Sequence, residues 1–362
     1  MVNKEHSIGG IKLVIGVCGF SWSGSGAVID YLMEFEENQV LTQEYILAYH
    51  PDGLRDLDAA LNENCAKFLS SGVAIPRFRK TSDFLLRDLT KGKAGKITEA
   101  YLDKLIQARW IGLEQGQQLV RNEWLYKKIG LRIREKIITR LSPEFCWKHR
   151  PYPLSQMEFS ICPEQFDEIT REYTCSILKA IGLNTDRNIV LNQPFPGNNP
   201  IPYMKYFPDA KAIVADRDPR DVFAFLKYVF PGHSYSVPLQ DVHEFCAYFE
   251  NMHKKITETL NHPDVLYIHF EDLVYRYEET ADRICSFLGL GKPGNEKRYF
   301  NPDESAANTM VFERYGDRKE IEVIEEKLSG YLYDFSKVEK RAGGSRMFDD
   351  NPKSSGYSFK HC

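Results

Sequence analysis

The residues best suited to hold an anion lie at 216–221, where Asp216, Arg217, Asp218, Pro219, Arg220 and Asp221 follow one another without interruption. The apolar run 212–215 before them reads as a buried strand. Asp218, Pro219 and the apolar spacing of Val222, Phe223 and Leu226 read as the start of an amphipathic helix. Free backbone N–H groups at such a start attract a phosphate, and Arg217 adds a planar fork of donors beside them. Taken alone, the run reads equally well as an ordinary strand-to-helix turn held by Arg–Asp pairs.

A second stretch favours the anion reading. Residues 13–18 form an apolar strand, 19–26 a loop rich in Gly and Ser, and 27–32 the first turns of a helix. Strand, small-residue loop and helix is the order a phosphate cradle requires, because only small residues let several amides converge on one oxyanion. Gly19 and Gly24 fit the glycines of a Walker A loop, but Ser25 stands where its lysine belongs, which disfavours a nucleoside-triphosphatase. A dinucleotide fingerprint fails too, since Ile29 occupies the place of its third glycine.

Together the two stretches resemble the sulfotransferases that use 3′-phosphoadenosine 5′-phosphosulfate (PAPS). Ser23, Gly24, Ser25 and Gly26 match the SGTT of that family's 5′-phosphosulfate loop, and Arg217, Pro219 and Asp221 match the RxPxD of its 3′-phosphate segment. VLYIHFEDLVYRYEETADRICSFLGL, 265–290, looks like the family's strand, FEDL turn and following helix. Residues 305–335 resemble the C-terminal segment that closes over the nucleotide. The resemblance covers residues 11–50 and 188–335. It implies PAPS as co-substrate, held by Trp22, Ser23, Gly24, Ser25, Gly26, Ala27 and Arg217, a hydroxyl-bearing glycan, lipid-linked or small-molecule acceptor, and no metal. Two departures stand out. The family's loop lysine falls on Trp22, so either another cation reaches the site or transfer is impaired. The serine beside the 3′-phosphate arginine falls on Phe225, with Tyr228 one helical turn further on as a possible substitute.

Sulfuryl transfer is an in-line displacement that needs a base for the acceptor proton. In the related glycan sulfotransferases a glutamate at the end of the strand after the first helix does this, and in the matching stretch 39–49 Glu44 is the carboxylate. An acid in an otherwise apolar strand is costly to bury without a task or a partner. The competing reading is a Glu44 that faces solvent on a strand edge. His50, beside Pro51, is the alternative base, and His233 in the loop PGHSYS is a third candidate.

The elements that must position these residues alternate strand and helix signals, which implies an α/β fold, a parallel sheet with helices on both faces. At 362 residues and 43% hydrophobic content the chain can bury a substantial core. Residues 1–340 read as one domain. Within it, 52–185 interrupt the alternation with amphipathic segments and read as a helical insertion over the catalytic end of the sheet, shaping the acceptor pocket. In that insertion RFRK at 77–80 and WKHRPYP at 147–153 pair cations with aromatics, as an anionic or sugar-like acceptor would suit, although a charge run is usually a solvated face. The loop QPFPGNNP, 193–200, reads as a rigid rim offering amides to hydroxyls. Residues 341–362, rich in Gly, Ser and Lys, read as a flexible tail.

A net charge of −4 without a basic tail speaks against nucleic acid as a partner. No apolar stretch reaches the roughly 20 residues of a membrane span, and the N-terminus does not read as a signal peptide. Eight scattered cysteines without a CxxC pair fit reduced thiols. Cys146, His149 and Cys162 are too irregularly spaced to argue for a metal. The expectation is therefore a cytoplasmic enzyme that acts on a soluble precursor or on an intermediate met at the membrane's inner face by peripheral contact. The rival from another class is a nucleotide-binding or interaction protein of the same fold that has lost transfer. A kinase would need magnesium ligands and a phosphate lysine, and the loop supplies no lysine.

Overall fold

The computed structural model describes residues 11–64, 70–113, 154–231, 237–256, 259–291, 293 and 298–339, together with Ile129, Gly130, Ile133, Lys136, Ile137 and Arg140. The chain divides into two compact units, residues 1–49 with 174–362, and residues 50–173.

The first part of the larger unit runs β1 (Leu13–Gly19), α1 (Ser25–Leu32) and β2 (Asn38–Glu44). The smaller unit carries α2 (Leu54–Asp58), α3 (Ser70–Leu86), α4 (Ala94–Leu105) and an antiparallel pair, β3 (Ala108–Leu113) with β4 (Leu154–Phe159). The stretch read as a helical insertion thus also holds a two-stranded ladder. On α3 the buried Ser71, Ile75, Phe78, Ser82 and Leu86 recur every three or four residues and form one face. There Phe78 meets Tyr101 at 5.7 Å, and Ser82 Oγ lies 2.8 Å from Thr98 Oγ1 and 2.7 Å from the Tyr173 hydroxyl. The shared hydroxyls satisfy groups that would otherwise be buried without partners.

α5 (Phe166–Ile181) leads to β5 (Asn188–Asn192), α6 (Ile201–Met204), β6 (Ala210–Asp216), α7 (Pro219–Ala224), α8 (Val242–His253), β7 (Val265–His269), α9 (Phe270–Tyr275) and α10 (Tyr277–Leu288). α11 (Pro302–Ser305), α12 (Val311–Tyr315) and α13 (Arg318–Lys327) follow. The five strands of the larger unit form a parallel sheet in the order β2-β5-β1-β6-β7. This is the α/β architecture the alternation of signals implied. Parallel strands need crossover connections, and the helices supply them.

β1 is central and almost wholly buried. Ile15 and Val17 pack with Val28, Ile29 and Leu32 of α1 and Ile284 and Leu288 of α10 on one face. On the opposite face Gly16 makes room for the turn after β5, where a Cβ would lie 2.4 Å from the Phe195 ring. Among the described residues no helix is long and apolar enough to cross a membrane.

Candidate functional site

In parallel α/β sheets ligands bind beyond the carboxyl ends of the strands. The register puts Gly19 of β1 level with Ala215 of β6, so Phe20 and Asp216 leave the sheet side by side. Past Gly19 the chain turns sharply. Ser23 Oγ accepts a hydrogen bond from the Phe20 amide at 3.0 Å, and the Ser23 amide donates to the Phe20 carbonyl at 3.1 Å. A Cβ on Gly19 would fall 2.2 Å from that hydroxyl oxygen, so the turn admits no side chain there. Trp22 has φ 62° and Gly24 φ 84°, both in the left-handed region. For tryptophan this is a strained conformation that its surroundings must hold.

Gly24 is the N-cap of α1 and brings no side chain to cap it, which leaves the first-turn amides of Ser25 and Gly26 without a capping side chain. A Cβ on Gly26 would meet nothing within 4 Å, so there is open space at this helix start. An oxyanion is favoured here by the amides and by the helix dipole. The turn after β5 closes against the loop: Gln193 Nε2 donates to Ser25 Oγ at 3.0 Å, and a Cβ on Gly197 would lie 2.7 Å from the Gly19 carbonyl oxygen.

Arg217 joins this loop to the second motif. Its guanidinium is buried, 5% exposed, and sits between the Phe225 and Phe270 rings at 5.4 Å from each centroid. Nη1 donates to the Trp22 carbonyl at 3.3 Å and Nη2 to the Asn308 carbonyl at 2.5 Å, while the buried Nε has no partner. Trp22, in the place of the family's lysine, packs its ring on Phe225 at 5.4 Å and Phe230 at 5.2 Å. Phe225 therefore offers Arg217 an aromatic face where a serine would offer a hydroxyl. Tyr228 does not replace that serine, since its hydroxyl donates to Glu320.

The expectation of free amides at the start of α7 is corrected by the structure. Pro219 has no N–H, the Asp218 amide donates to Glu271 Oε1 at 3.0 Å, and the Arg220 amide to Asp218 Oδ1 at 2.8 Å. The Asp221 and Val222 amides return to the Asp218 carbonyl at 3.0 and 3.1 Å. An anion at this end of β6 would rest on Arg217 itself. The other charges of the run bind the C-terminal segment. Asp221 accepts the Met310 and Phe312 amides at 2.8 and 3.2 Å, and Asp218 accepts the Tyr333 amide at 2.9 Å. Arg220 pairs with Glu325 at 2.8 Å and lies 4.3 Å over the Phe312 ring. Burial pushes the Asp221 carboxyl up to about 6 against the pull of Arg217. Burial first, then Asp218 and Asp221, raises Glu271 well above the ordinary carboxylate range, and its buried Oε2 has no partner.

Glu44 ends β2 opposite Asn192 and is exposed, so it stands at a strand end and not within an apolar strand. Loss of hydration nevertheless raises its carboxyl, and Glu44 adds to the burial that raises the Tyr49 hydroxyl. Two strands separate it from β6. Asn192 is level with Val17, three residues before Phe20, so Glu44 lies below the loop as well as across from it. At about 5 Å per strand and 3.3 Å per residue this puts it more than about 10 Å from Phe20. His50 belongs to the smaller unit, where Nδ1 lies 2.7 Å from the Pro51 carbonyl and its own carbonyl accepts the Gly53 amide at 2.7 Å, as in a turn. Arg79 of the RFRK run is held by Glu99 at 2.5 Å and Glu158 at 2.9 Å, and Arg77 faces Asp52 at 3.5 Å. His233, Cys146, His149, residues 147–153 and the tail 341–362 lie outside the described residues.

One pair escaped the sequence reading. Asp216 and His253 line a cleft with Phe20, Ser21 and Ser23 of the loop. His253 Nε2 lies 3.1 Å from Asp216 Oδ1 and Nδ1 2.7 Å from the Phe249 carbonyl oxygen. Its ring is stacked between Phe20 at 3.9 Å and Phe249 at 4.0 Å. Asp216 was visible as the first residue of the charged run, but nothing in the surrounding NMHKK marks His253.

Residues 162–293 match the model of the sulfotransferase family. Arg217, Pro219 and Asp221 and residues 265–290 of the resemblance fall within that match, and Ser23 to Gly26 and residues 305–335 lie outside it. No curated protein matches the chain. Similar solved structures include the sulfotransferase STF1 from Mycobacterium tuberculosis H37Rv, with 17% identity, 88% of this chain and 77% of that one covered, and a TM-score of 0.39. The sulfotransferase STF9 from Mycobacterium avium shows 13% identity over 92% of this chain and 79% of its own, TM-score 0.38. A retinol dehydratase solved with androsterone and the inactive cofactor PAP shows 14% identity, 92% and 73% coverage, and a TM-score of 0.27.

Proposed function

We propose that this chain, which carries the sulfotransferase family pattern over residues 162–293, moves a sulfuryl group from PAPS to a hydroxyl on a glycan, lipid-linked or small-molecule acceptor. The observation that supports this most is the hydrogen bond from Arg217 to the Trp22 carbonyl, which unites the two motifs in one site at the ends of adjacent strands. Both anionic ends of PAPS find fitting groups. Within the stretch from Ser23 to Ala27, Ser25 and Gly26 offer amides without a capping side chain and open space beside Gly26 to the 5′-phosphosulfate, and Arg217 offers a buried, unpartnered Nε to the 3′-phosphate. Arg217 is also the cation that comes up to the loop in place of the missing lysine.

In the reaction the acceptor oxygen attacks sulfur in line. The bond from sulfur to the bridging oxygen breaks, its electron pair stays on the 5′-phosphate, and the acceptor proton passes to a carboxylate. The α1 amides stabilise the charge that develops on the leaving phosphate. Two carboxylates stand at the carboxyl ends of the strands, Glu44 and Asp216. His50 remains the alternative base.

A second reading has its own support. Trp22 and Phe225 replace a charge and a hydroxyl with aromatic rings that pack on each other, as they would in a nucleotide-binding protein without transfer. Incubation with [35S]PAPS and a panel of alcohols separates the two: labelled ester supports the enzyme, whereas PAP binding without labelled ester supports the binder.

A further inference from the structure

Gln193 is held in a conformation that its residue type disfavours. It follows β5, the strand beside β1, and has φ 53°, in the left-handed region. A glutamine rarely adopts that region, and the residue before a proline, here Pro194, prefers extended backbone. The turn around it is fixed from several sides. The Gln193 amide donates to the Val17 carbonyl at 2.8 Å, and Phe195 fills the space over Gly16, where a Cβ would lie 2.4 Å from its ring. Strain that the surroundings maintain in this way gathers at functional positions.

The side chain reaches the start of α1. Gln193 Nε2 donates to Ser25 Oγ at 3.0 Å, and Ser25 is 9% exposed. This bond decides the direction of the hydroxyl. Its oxygen accepts from Gln193, while its proton has no acceptor among the described residues. A hydroxyl that accepts one hydrogen bond becomes a better donor in the next. The Ser25 and Gly26 amides and the open space beside Gly26 lie at the same helix start. A side-chain amide donates here without adding charge, whereas a carboxylate in its place would accept the hydroxyl proton.

We propose that Gln193 is a positioning residue for the 5′-phosphate end of the nucleotide: its side-chain N–H holds Ser25 Oγ so that the hydroxyl donates to a phosphate oxygen at the start of α1. The inference deepens the PAPS reading and rests on it for the identity of the ligand. Ser25 touches the ligand, and Gln193 acts through Ser25.

The test is calorimetric titration of PAP into the full chain as wild type, Gln193→Ala, Gln193→Glu, Ser25→Ala and the double variant of Gln193→Ala with Ser25→Ala. Each alanine substitution alone is expected to weaken PAP binding about tenfold, and the double variant no more than Ser25→Ala does. Gln193→Glu keeps the shape of the side chain yet is expected to weaken binding more than Gln193→Ala, because its carboxylate takes the Ser25 proton and repels the phosphate. A role in packing alone would order these two variants the other way. Affinity for 3′-AMP, which lacks the 5′-phosphate, is expected to stay unchanged in every variant. Gln193→Gly suits the left-handed φ, so it is expected to melt no lower than wild type and still to lose PAP affinity as Gln193→Ala does. Wild-type affinity in Gln193→Glu, additive losses in the double variant, or equal losses for PAP and 3′-AMP overturn the positioning role and leave the PAPS reading standing. A wild type that binds pyrophosphate but not PAP, with pyrophosphate weakened in Gln193→Ala, upholds the positioning role and ends the PAPS reading. A wild type that binds neither overturns both.

Discussion

Arg217 and Trp22 lie 195 residues apart in sequence and meet through a single hydrogen bond, guanidinium to carbonyl, at 3.3 Å. The contact sets the backbone of the loop by the same side chain that has a donor to spare for a phosphate. A planar fork can do both, because its donors point in different directions.

Arg217→Lys is therefore expected to behave almost like Arg217→Ala. Lysine keeps the charge but cannot hold Trp22, Asn308 and an anion in fixed directions at once. Both variants should weaken PAP binding by about tenfold to a hundredfold, the range of a charge-assisted hydrogen bond. Calorimetric titration of the two proteins checks this, and a fully active lysine variant would mean that charge alone matters.

The two loop glycines should separate stability from binding. Gly24 has φ 84° and a Cβ there would lie 2.7 Å from Phe270, so Gly24→Ala should cost on the order of 2 kcal/mol in denaturant unfolding. Gly26 is a helical residue in open space, and Gly26→Ala should leave stability equal or slightly improved. If α1 receives the phosphosulfate, the same Gly26→Ala should still reduce PAP affinity by filling the space.

Glu271→Gln is expected to stabilise the protein above the acid range. Glutamine keeps the oxygen that accepts the Asp218 amide and removes a buried carboxylate whose Oε2 has no partner. Asp221 and Glu271 both titrate above their unfolded values because of burial. A raised acid binds its proton more tightly in the folded state, so its contribution favours folding at low pH and is lost as pH rises, for Asp221 between about 4 and about 6. Urea unfolding at pH 5 and pH 8 should give the variant a gain on the order of 1–3 kcal/mol at pH 8 and a smaller one at pH 5. Equal gains at both values would show that Glu271 carries no extra proton in the fold.

Ser23→Ala should loosen the loop without unfolding the sheet. The hydroxyl oxygen receives the Phe20 amide inside a turn that positions both α1 and the His253 stack. Its loss should cost about 1 kcal/mol in stability and a several-fold drop in PAP affinity.

Much of the frame was legible in the chain. Residues 13–18 and 212–215 are apolar runs ended by small or charged residues, and both are strands that stop within one residue of where the runs stop. The helix after the loop begins at Ser25, two residues earlier than the apolar periodicity suggested, because Gly24 supplies the left-handed turn. What stayed hidden depends on distant partners. The amides at this helix start look free in sequence, but Glu271, fifty-three residues on, takes that of Asp218, and Asp218 itself takes those of Arg220, Asp221 and Val222. His253 has no local signature and gains its meaning from Asp216 and Phe20 across the fold. The antiparallel pair of Ala108–Leu113 with Leu154–Phe159 was missed because its strands are forty residues apart and neither alternates clearly. Trp22 and Phe225 stood out as substitutions, yet only their packing shows that they form one aromatic wall beside Arg217.

The most direct test of the account is calorimetric titration of PAP into wild type and Arg217→Ala, with ATP and 5′-AMP as controls. The account predicts that wild type binds the bisphosphate in preference to both controls and that Arg217→Ala loses this preference. Absence of PAP binding, or binding indifferent to the 3′-phosphate and to Arg217, would contradict it.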